Sequence, residues 1–106
     1  MRPASGRIAA AQAARLARTR LTGISHATKK RRVRRAAIVA DRIWCRWQVG
    51  VWQWRLKHIR WLCEYSLRDQ SPNTSYQYWL AVRDLLSVLG REHWINQLRG
   101  PWTRPN

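Results

Sequence analysis

Acidic side chains are scarce in this 106-residue chain, which has 5 Asp and Glu against 21 Lys and Arg and a formal net charge of +16. Phenylalanine is absent, and cysteine occurs only as Cys45 and Cys63. Two cysteines at this separation form neither a disulfide framework nor the closely spaced ligand pairs of a zinc site. Uncharged runs are far shorter than the roughly 18 residues that a membrane-spanning helix needs. We therefore expect one small, soluble, cytoplasmic protein that holds no cofactor and no metal.

Candidate catalytic groups are too few and too scattered for an active site. The three histidines show no metal-ligand spacing, and the isolated glycines make no phosphate-binding loop. The acids are spread along the chain, and each is explained as an ion-pair partner of a nearby arginine on the same helix; they are Asp41, Glu64, Asp69, Asp84 and Glu92. The sequence therefore predicts a protein that is not an enzyme.

Positive charge is concentrated in the first part of the chain. Residues 1–40 contain eleven Lys and Arg and no acid, whereas residues 41–106 contain ten Lys and Arg and all five acids. Such an excess of cations repels itself unless a polyanion neutralises it, and a phosphate backbone adds the free energy of counterion release. Nucleic acid is therefore the leading class of partner.

Residues 1–21 form a basic segment rich in alanine and arginine, and residues 1–20 have little large apolar surface beyond Ile8 and Leu16. We interpret this segment as a loosely held N-terminal arm, either helical or disordered, in front of a helical domain over residues 22–106. An organellar transit peptide has the same acid-free, arginine-spaced pattern and is the alternative interpretation.

The first helix of that domain begins at Ser25 or Thr28 and runs to about Gln48, because its apolar positions recur at three- and four-residue intervals. One side of this helix faces a core and the other carries cations. A loop over residues 49–51 follows, because Gly50 between two valines interrupts the helical period.

Three further helices complete the prediction. The second covers residues 55–68, and the third has Ser71 as N-cap with Pro72 at its first position. Gly90 supplies a left-handed C-terminal cap, and a short fourth helix covers residues 92–98. That last helix buries Trp94, Ile95 and Leu98. The fold class is all-α, a bundle of about four helices.

Eight tryptophans are unusual for a chain of this length. Trp fills a core, stacks on bases or contacts cations. Core filling is expected of Trp44, Trp47, Trp79 and Trp94, and both cysteines lie on apolar helical faces as small hydrophobic residues. Three others fit the helical stripes less well, and exposed stacking or partner contacts are the alternative role for them; they are Trp52, Trp54 and Trp61.

Four short motifs, in order, resemble the N-terminal core-binding domain of phage-type tyrosine recombinases, the integrases. They are GISHAT at residues 23–28, LKHI at 56–59, SPNT at 71–74 and LLxxLGR at 85–91. The resemblance covers about residues 22–104 and implies a small SAM-like helical bundle that clamps duplex DNA. In that family a separate domain supplies the catalytic Arg, His and Tyr, so the resemblance implies DNA binding without strand cleavage, in the setting of a mobile genetic element of bacterial or phage origin.

The resemblance points to cations of the first helix and to the starts of the second and third helices as the DNA-binding residues. A helix N-terminus favours phosphate in any case, and Asn or Gln can read an adenine edge. The candidates are Lys29, Lys30, Arg31, Arg32, Arg34, Arg35, Arg55, Lys57, His58, Asn73, Thr74 and Gln77.

The partners expected on this interpretation are duplex DNA and a full-length recombinase or separate catalytic chain, with no membrane, in a nucleoid-associated protein. Two other interpretations stay open. The protein is a basic RNA- or ribosome-associated factor, or it is a protein-interaction module whose contact surface consists of exposed tryptophans.

Overall fold

Helices account for most of the protein in a computed structural model that describes residues 2–21 and 23–98. Four α-helices follow in chain order: α1 (Gly6–Arg20), α2 (His26–Trp47), α3 (Leu56–Trp61) and α4 (Pro72–Val88). The shorter pieces are 3₁₀ turns at Val51–Gln53 and Glu92–Gln97 and a π-helical segment at Leu62–Ser66 that continues α3. Within the described ranges no strand occurs, which confirms the small all-α bundle predicted from the sequence.

Helix α2 is the longest element, with 22 residues, and has the bounds that its sequence predicts. Ser25 is the N-cap, because its side-chain oxygen accepts the Thr28 N–H at 3.2 Å. Gln48 ends the helix in the left-handed conformation, with φ 53°. The buried face repeats at the predicted three- and four-residue intervals and consists of Val33, Ala36, Val39, Ala40 and Ile43.

Helix α1 corrects the expectation of a loosely held arm. It runs antiparallel to α2 and packs against it, with Ala9 and Ala13 fully buried. Large apolar side chains are few in this segment, but helices lined by alanine approach each other closely and bury their backbones instead. Helix α1 therefore contributes Ala9, Ala13, Ala14 and Ala17 to the core of the protein.

The segment before α1 is also fixed in place. Pro3 is buried, and its carbonyl oxygen accepts a hydrogen bond from Trp44 Nε1 at 3.1 Å. A Cβ on Gly50 would lie 2.6 Å from Cδ of Pro3, so the absence of a side chain at residue 50 allows this contact. The start of the chain thus joins the end of α2 to the turn after it.

The second predicted helix, over residues 55–68, is present but changes its winding. Helix α3 passes into the π-helical segment Leu62–Ser66, where the Leu67 N–H reaches the Leu62 carbonyl at 3.0 Å. This wider turn places Leu62 and Leu67 on the same side, and both are buried. The sequence period alone did not predict the change, because an α-helix gives a similar apolar spacing.

Helix α4 has the predicted caps. Ser71 accepts the Thr74 N–H, Pro72 is the first helical residue, and Gly90 adopts φ +71° after the helix. The predicted fourth helix is instead a 3₁₀ turn, Glu92–Gln97. Its Trp94 and Ile95 are half-buried, and Leu98 is buried as expected.

The core lies where α1, α2, α4 and the π-helical segment meet. Its fully buried larger side chains include Val39, Ile43, Ile59, Leu62, Leu85 and Leu86. Cys63 is buried beside them, but Cys45 is exposed, contrary to the prediction for both cysteines. Cys45 follows Ile43 by two residues, a rotation of about 200° around α2 that turns its side chain to solvent.

The two thiols should therefore differ sharply in reactivity. Burial, with a smaller effect of the Glu64 charge, raises the pKa of the Cys63 thiol to about 12. We expect the native protein at pH 8 to react with one equivalent of a disulfide reagent such as DTNB, and with a second only after unfolding in guanidinium. Cys45→Ser should abolish the native reaction, and rapid labelling of two thiols in the native protein would contradict the packing described here.

Candidate nucleic-acid interface

A polar cleft of about 320 Å³ lies between the first half of α2 and the start of α4. We call it the α2–α4 cleft. It is lined by Thr28, Arg31, Arg32, Arg35, Asn73 and Gln77. Five of these six belong to the predicted DNA-binding set, although they come from two segments about 40 residues apart in sequence. Folding therefore brings together side chains that the sequence grouped only through the resemblance.

The spacing of the residues on each helix explains this convergence. Arg31 and Arg35 are one turn apart on α2, and Asn73 and Gln77 are one turn apart on α4, so each pair shares a face. Arg31 is exposed and Arg35 half-buried, and neither side chain forms an ion pair within the described residues. Both guanidinium groups are available to an anion.

The first turn of α4 adds a weaker attraction for anions. Ser71 satisfies the Thr74 N–H, and Pro72 has no N–H, so Asn73 carries the unpartnered backbone donor of this turn. The start of this 17-residue helix, which carries the positive end of its dipole, lies beside the α2–α4 cleft. Thr74 is half-buried and bound to Ser71 through both its N–H and its hydroxyl, so it is a capping residue.

Arg32 has a different role from its neighbours because it is paired with Asp84 of α4. Its Nη2 atom lies 3.1 Å from Oδ1 and 3.0 Å from Oδ2 of the carboxylate. Burial raises the pKa of Asp84, while the Arg32 charge acts in the opposite direction. The expected partner of Asp84 was an arginine on its own helix, but the pair joins two helices, and Arg32 is a positioning residue of the cleft.

Two arginines that the candidate set omitted extend the cationic surface along α2. Arg42 and Arg46 fall within about 60° of Arg31 and Arg35 around the helix axis, so the four form one row, the arginine row. The Arg42 guanidinium lies 5.4 Å from the centre of the Tyr78 ring, and that of Arg46 lies 4.3 Å from the Trp47 ring. A count of positions at 100° per residue would have found this row in the sequence.

The other candidates from α2 lie outside the cleft. Lys29, Lys30 and Arg34 line a separate groove between α1 and α2. They lie on the side of α2 that faces away from α4. The cations predicted to form one basic face of α2 therefore lie on two separate sides of the helix.

The candidates from the second predicted helix are at the opposite end of α2. Lys57 Nζ lies 5.2 Å from the ring centre of Trp47, the last residue of that helix, and Arg55 is exposed nearby. Sixteen residues, about 24 Å of helix, separate Trp47 from Arg31. Arg55 and Lys57 therefore form a second basic patch and are not part of the α2–α4 cleft.

His58 is a structural residue, which corrects its assignment to the interface. The side chain is 4% exposed, and its Nδ1 atom accepts the Arg55 N–H at 2.8 Å, which caps the start of α3. Its ring packs against Trp47 with 5.1 Å between the ring centres. Burial lowers the pKa of His58, and the nearby charges of Lys57, Arg55 and Arg2 lower it further.

The tryptophans also differ in part from their predicted roles. Trp79 is buried, whereas Trp44, Trp47 and Trp94 are half-buried. Of the three for which exposed contacts were the alternative role, only Trp52 is exposed, with 61% of its surface accessible; Trp61 is half-buried. Trp54 is 4% exposed, because the 3₁₀ turn Val51–Gln53 folds it back onto the core.

Loss of the carboxylate at residue 84 should destabilise the protein. Asp84→Asn would leave the half-buried Arg32 charge without its partner, and we expect the unfolding free energy in urea to fall by about 2 kcal/mol. Asp69→Asn is the matched control, because Asp69 is exposed, and its effect should be within about 0.5 kcal/mol. Equal effects of the two substitutions would show that the pair does not hold α4.

Acid should weaken the protein through His58. Protonation of Nδ1 removes the acceptor for the Arg55 N–H, so the folded state favours the neutral ring. The contribution of His58 to the unfolding free energy should be constant above the ordinary pKa of 6.5 and fall as the pH drops below it. His58→Gln keeps an acceptor that does not titrate, so its stability should vary less between pH 7 and pH 5. Parallel pH profiles for the two proteins would refute this role.

No described helix is both long and apolar enough to cross a membrane. No group of three or more His, Cys, Asp or Glu side chains in this part of the chain is arranged to hold a metal ion. In comparisons with known proteins, no family model, no curated protein and no solved structure matches the chain.

Proposed function

We propose that the protein binds duplex DNA and that the α2–α4 cleft makes its main phosphate contacts. The observation that carries this proposal is the meeting of Arg31 and Arg35 with the start of α4 in one polar cleft. Neither arginine has an acidic partner among the described residues. Two unpaired guanidinium groups beside a helix N-terminus form a strong site for a phosphate group.

The arginine row extends the proposed phosphate contact along much of helix α2. Fifteen residues separate its ends, Arg31 and Arg46, which is about 22 Å along α2. A row of this length can contact several phosphate groups of a duplex. A net charge of +16 adds long-range attraction and a steep dependence of affinity on salt.

Duplex DNA suits a long helix such as α2 better than double-stranded RNA does. The major groove of B-form DNA is about 12 Å wide and admits a helix, whereas that of A-form RNA is narrow and deep. Single strands are bound mainly by stacking on aromatic rings. Among the described tryptophans, only Trp52 is exposed. Trp47 contacts Arg46, Lys57 and His58.

Asn73 and Gln77 provide the means to read sequence. Each carries a paired donor and acceptor that match the N6 and N7 edge of adenine. Phosphate contacts by Arg31 and Arg35 would fix the register in which these amides meet the bases. We propose, on the resemblance to integrase core-binding domains, that this reading serves a site-specific recombination system whose catalysis resides elsewhere. Selection from a random duplex library should then enrich one motif, and recovery of unrelated sequences would oppose this role.

The cleft is tested by neutralising its two free arginines. The double variant Arg31→Gln, Arg35→Gln should lower affinity for a 20-base-pair duplex about tenfold at 0.1 M salt. Loss of two phosphate contacts should also reduce the slope of log K against log salt by about two. The readout is fluorescence anisotropy of labelled duplex across a salt series.

The control has the same change of charge elsewhere on the protein. Arg7→Gln, Arg91→Gln removes two exposed cations at the start of α1 and beyond the end of α4, and we expect less than a threefold effect. Equal losses in both double variants would mean that net charge alone drives binding. Tighter binding to RNA of the same sequence at equal salt would favour an RNA-associated function instead.

A further inference from the structure

The groove between α1 and α2 is a second surface that the proposed DNA contact does not use. It has a volume of about 650 Å³, and no residue of α4 lines it. Its floor consists of the small apolar side chains Ala14, Val33 and Ala37. Small residues at the floor leave space in which a partner can insert larger apolar side chains.

The rim of the groove is cationic. Arg18 rises from α1 and Lys30 and Arg34 rise from α2, and none of the lining residues is acidic. All three cations are exposed, and none forms an ion pair within the described residues. The groove therefore combines an apolar floor with unneutralised positive edges, whereas the α2–α4 cleft has a polar lining.

The geometry of the helix pair favours a third helix as occupant. Two antiparallel helices form a groove on each side, and α4 packs against both α1 and α2 on one side. The other side carries no helix of the described chain. We propose that the α1–α2 groove binds an amphipathic helix of a partner protein, with leucine-like side chains on the floor and acidic side chains against the rim.

Electrostatic repulsion disfavours a second copy of this chain as the occupant of the groove. A second copy of this chain would bring a net charge of +16 and only 5 acids to a cationic rim, so self-association through this groove is unfavourable. A nucleic acid would satisfy the rim but would leave the apolar floor without a complementary group, so an acidic helix is the better fit.

The test uses a fluorescein-labelled peptide of about 20 residues with leucines at i, i+3, i+4 and i+7 and glutamates on the flanks. A peptide of identical composition with scrambled leucines is the control for charge. We expect the amphipathic peptide to bind at least tenfold more tightly than the scrambled one in anisotropy titrations at 0.1 M salt. Ala37→Trp, which fills the groove, and Arg18→Glu, which reverses the rim, should each weaken binding at least tenfold. Arg7→Glu, at the far end of α1, should change it less than twofold.

Binding to the 20-base-pair duplex is measured on the same variants, with circular dichroism to confirm that each is folded. Ala37→Trp should leave duplex affinity within twofold, which separates this proposal from the DNA contact. If Ala37→Trp does not fold, the peptide affinities of Arg18→Glu and Arg7→Glu are compared instead. A loss of affinity in Arg18→Glu alone supports the proposal. Equal binding of the scrambled peptide, or no effect of the groove variants, would overturn the proposal. An equal loss of duplex and peptide affinity in Ala37→Trp would assign the groove to nucleic acid and overturn it as well.

Discussion

The arrangement of the cationic surface depends on the ion pair between Arg32 and Asp84. Asp84 is the buried acid of the described chain, and Arg32 meets it from the middle of the basic part of α2. This pair anchors α4 against α2, whose first half carries an excess of positive charge. Because α4 is fixed at residue 84, its first turn comes to lie beside Arg31 and Arg35 and forms the cleft. Burial of an ion pair carries a desolvation penalty, so the main role of this pair is to fix which face of α4 packs against which face of α2.

The surface of helix α2 has three parts with different roles. Alanine and valine on one face pack against α1 and α4, the arginine row follows the side toward α4, and a second set of cations follows the side toward α1. Close packing of α1 on alanines brings its arginines near those of α2, so charge accumulates on both flanks of one helix. The protein thereby keeps a dry core, and within the described residues Arg32 is the one cation paired with an acid. Such a surface is costly for an isolated protein, and a polyanion or acidic partner would remove that cost.

Local signals in the sequence were sufficient for the bounds of α2 and α4. Ser25, Ser71, Pro72 and Gly90 act at short range, and caps of this kind depend on a few neighbouring residues. Packing was harder to predict. The burial of α1 depends on alanines, and these let two helices pack closely only when the facing helix also presents alanines. The roles of Arg32 and His58 depend on contacts with Asp84 and with the backbone at Arg55. The resemblance placed Asn73 and Gln77 with the basic helix, but no spacing rule joins residues 31 and 77.

The most direct test of the account is a nuclear magnetic resonance titration of the ¹⁵N-labelled protein with a 16-base-pair duplex. The account predicts that the largest shift changes occur in the first half of α2 and the first turn of α4, including the Asn73 backbone amide and the side-chain amides of Asn73 and Gln77. Residues around Trp52, on the turn after α2, should change little. Shift changes confined to the α1–α2 groove or to the start of α3, with none at α4, would contradict the assignment of the α2–α4 cleft as the DNA-binding site.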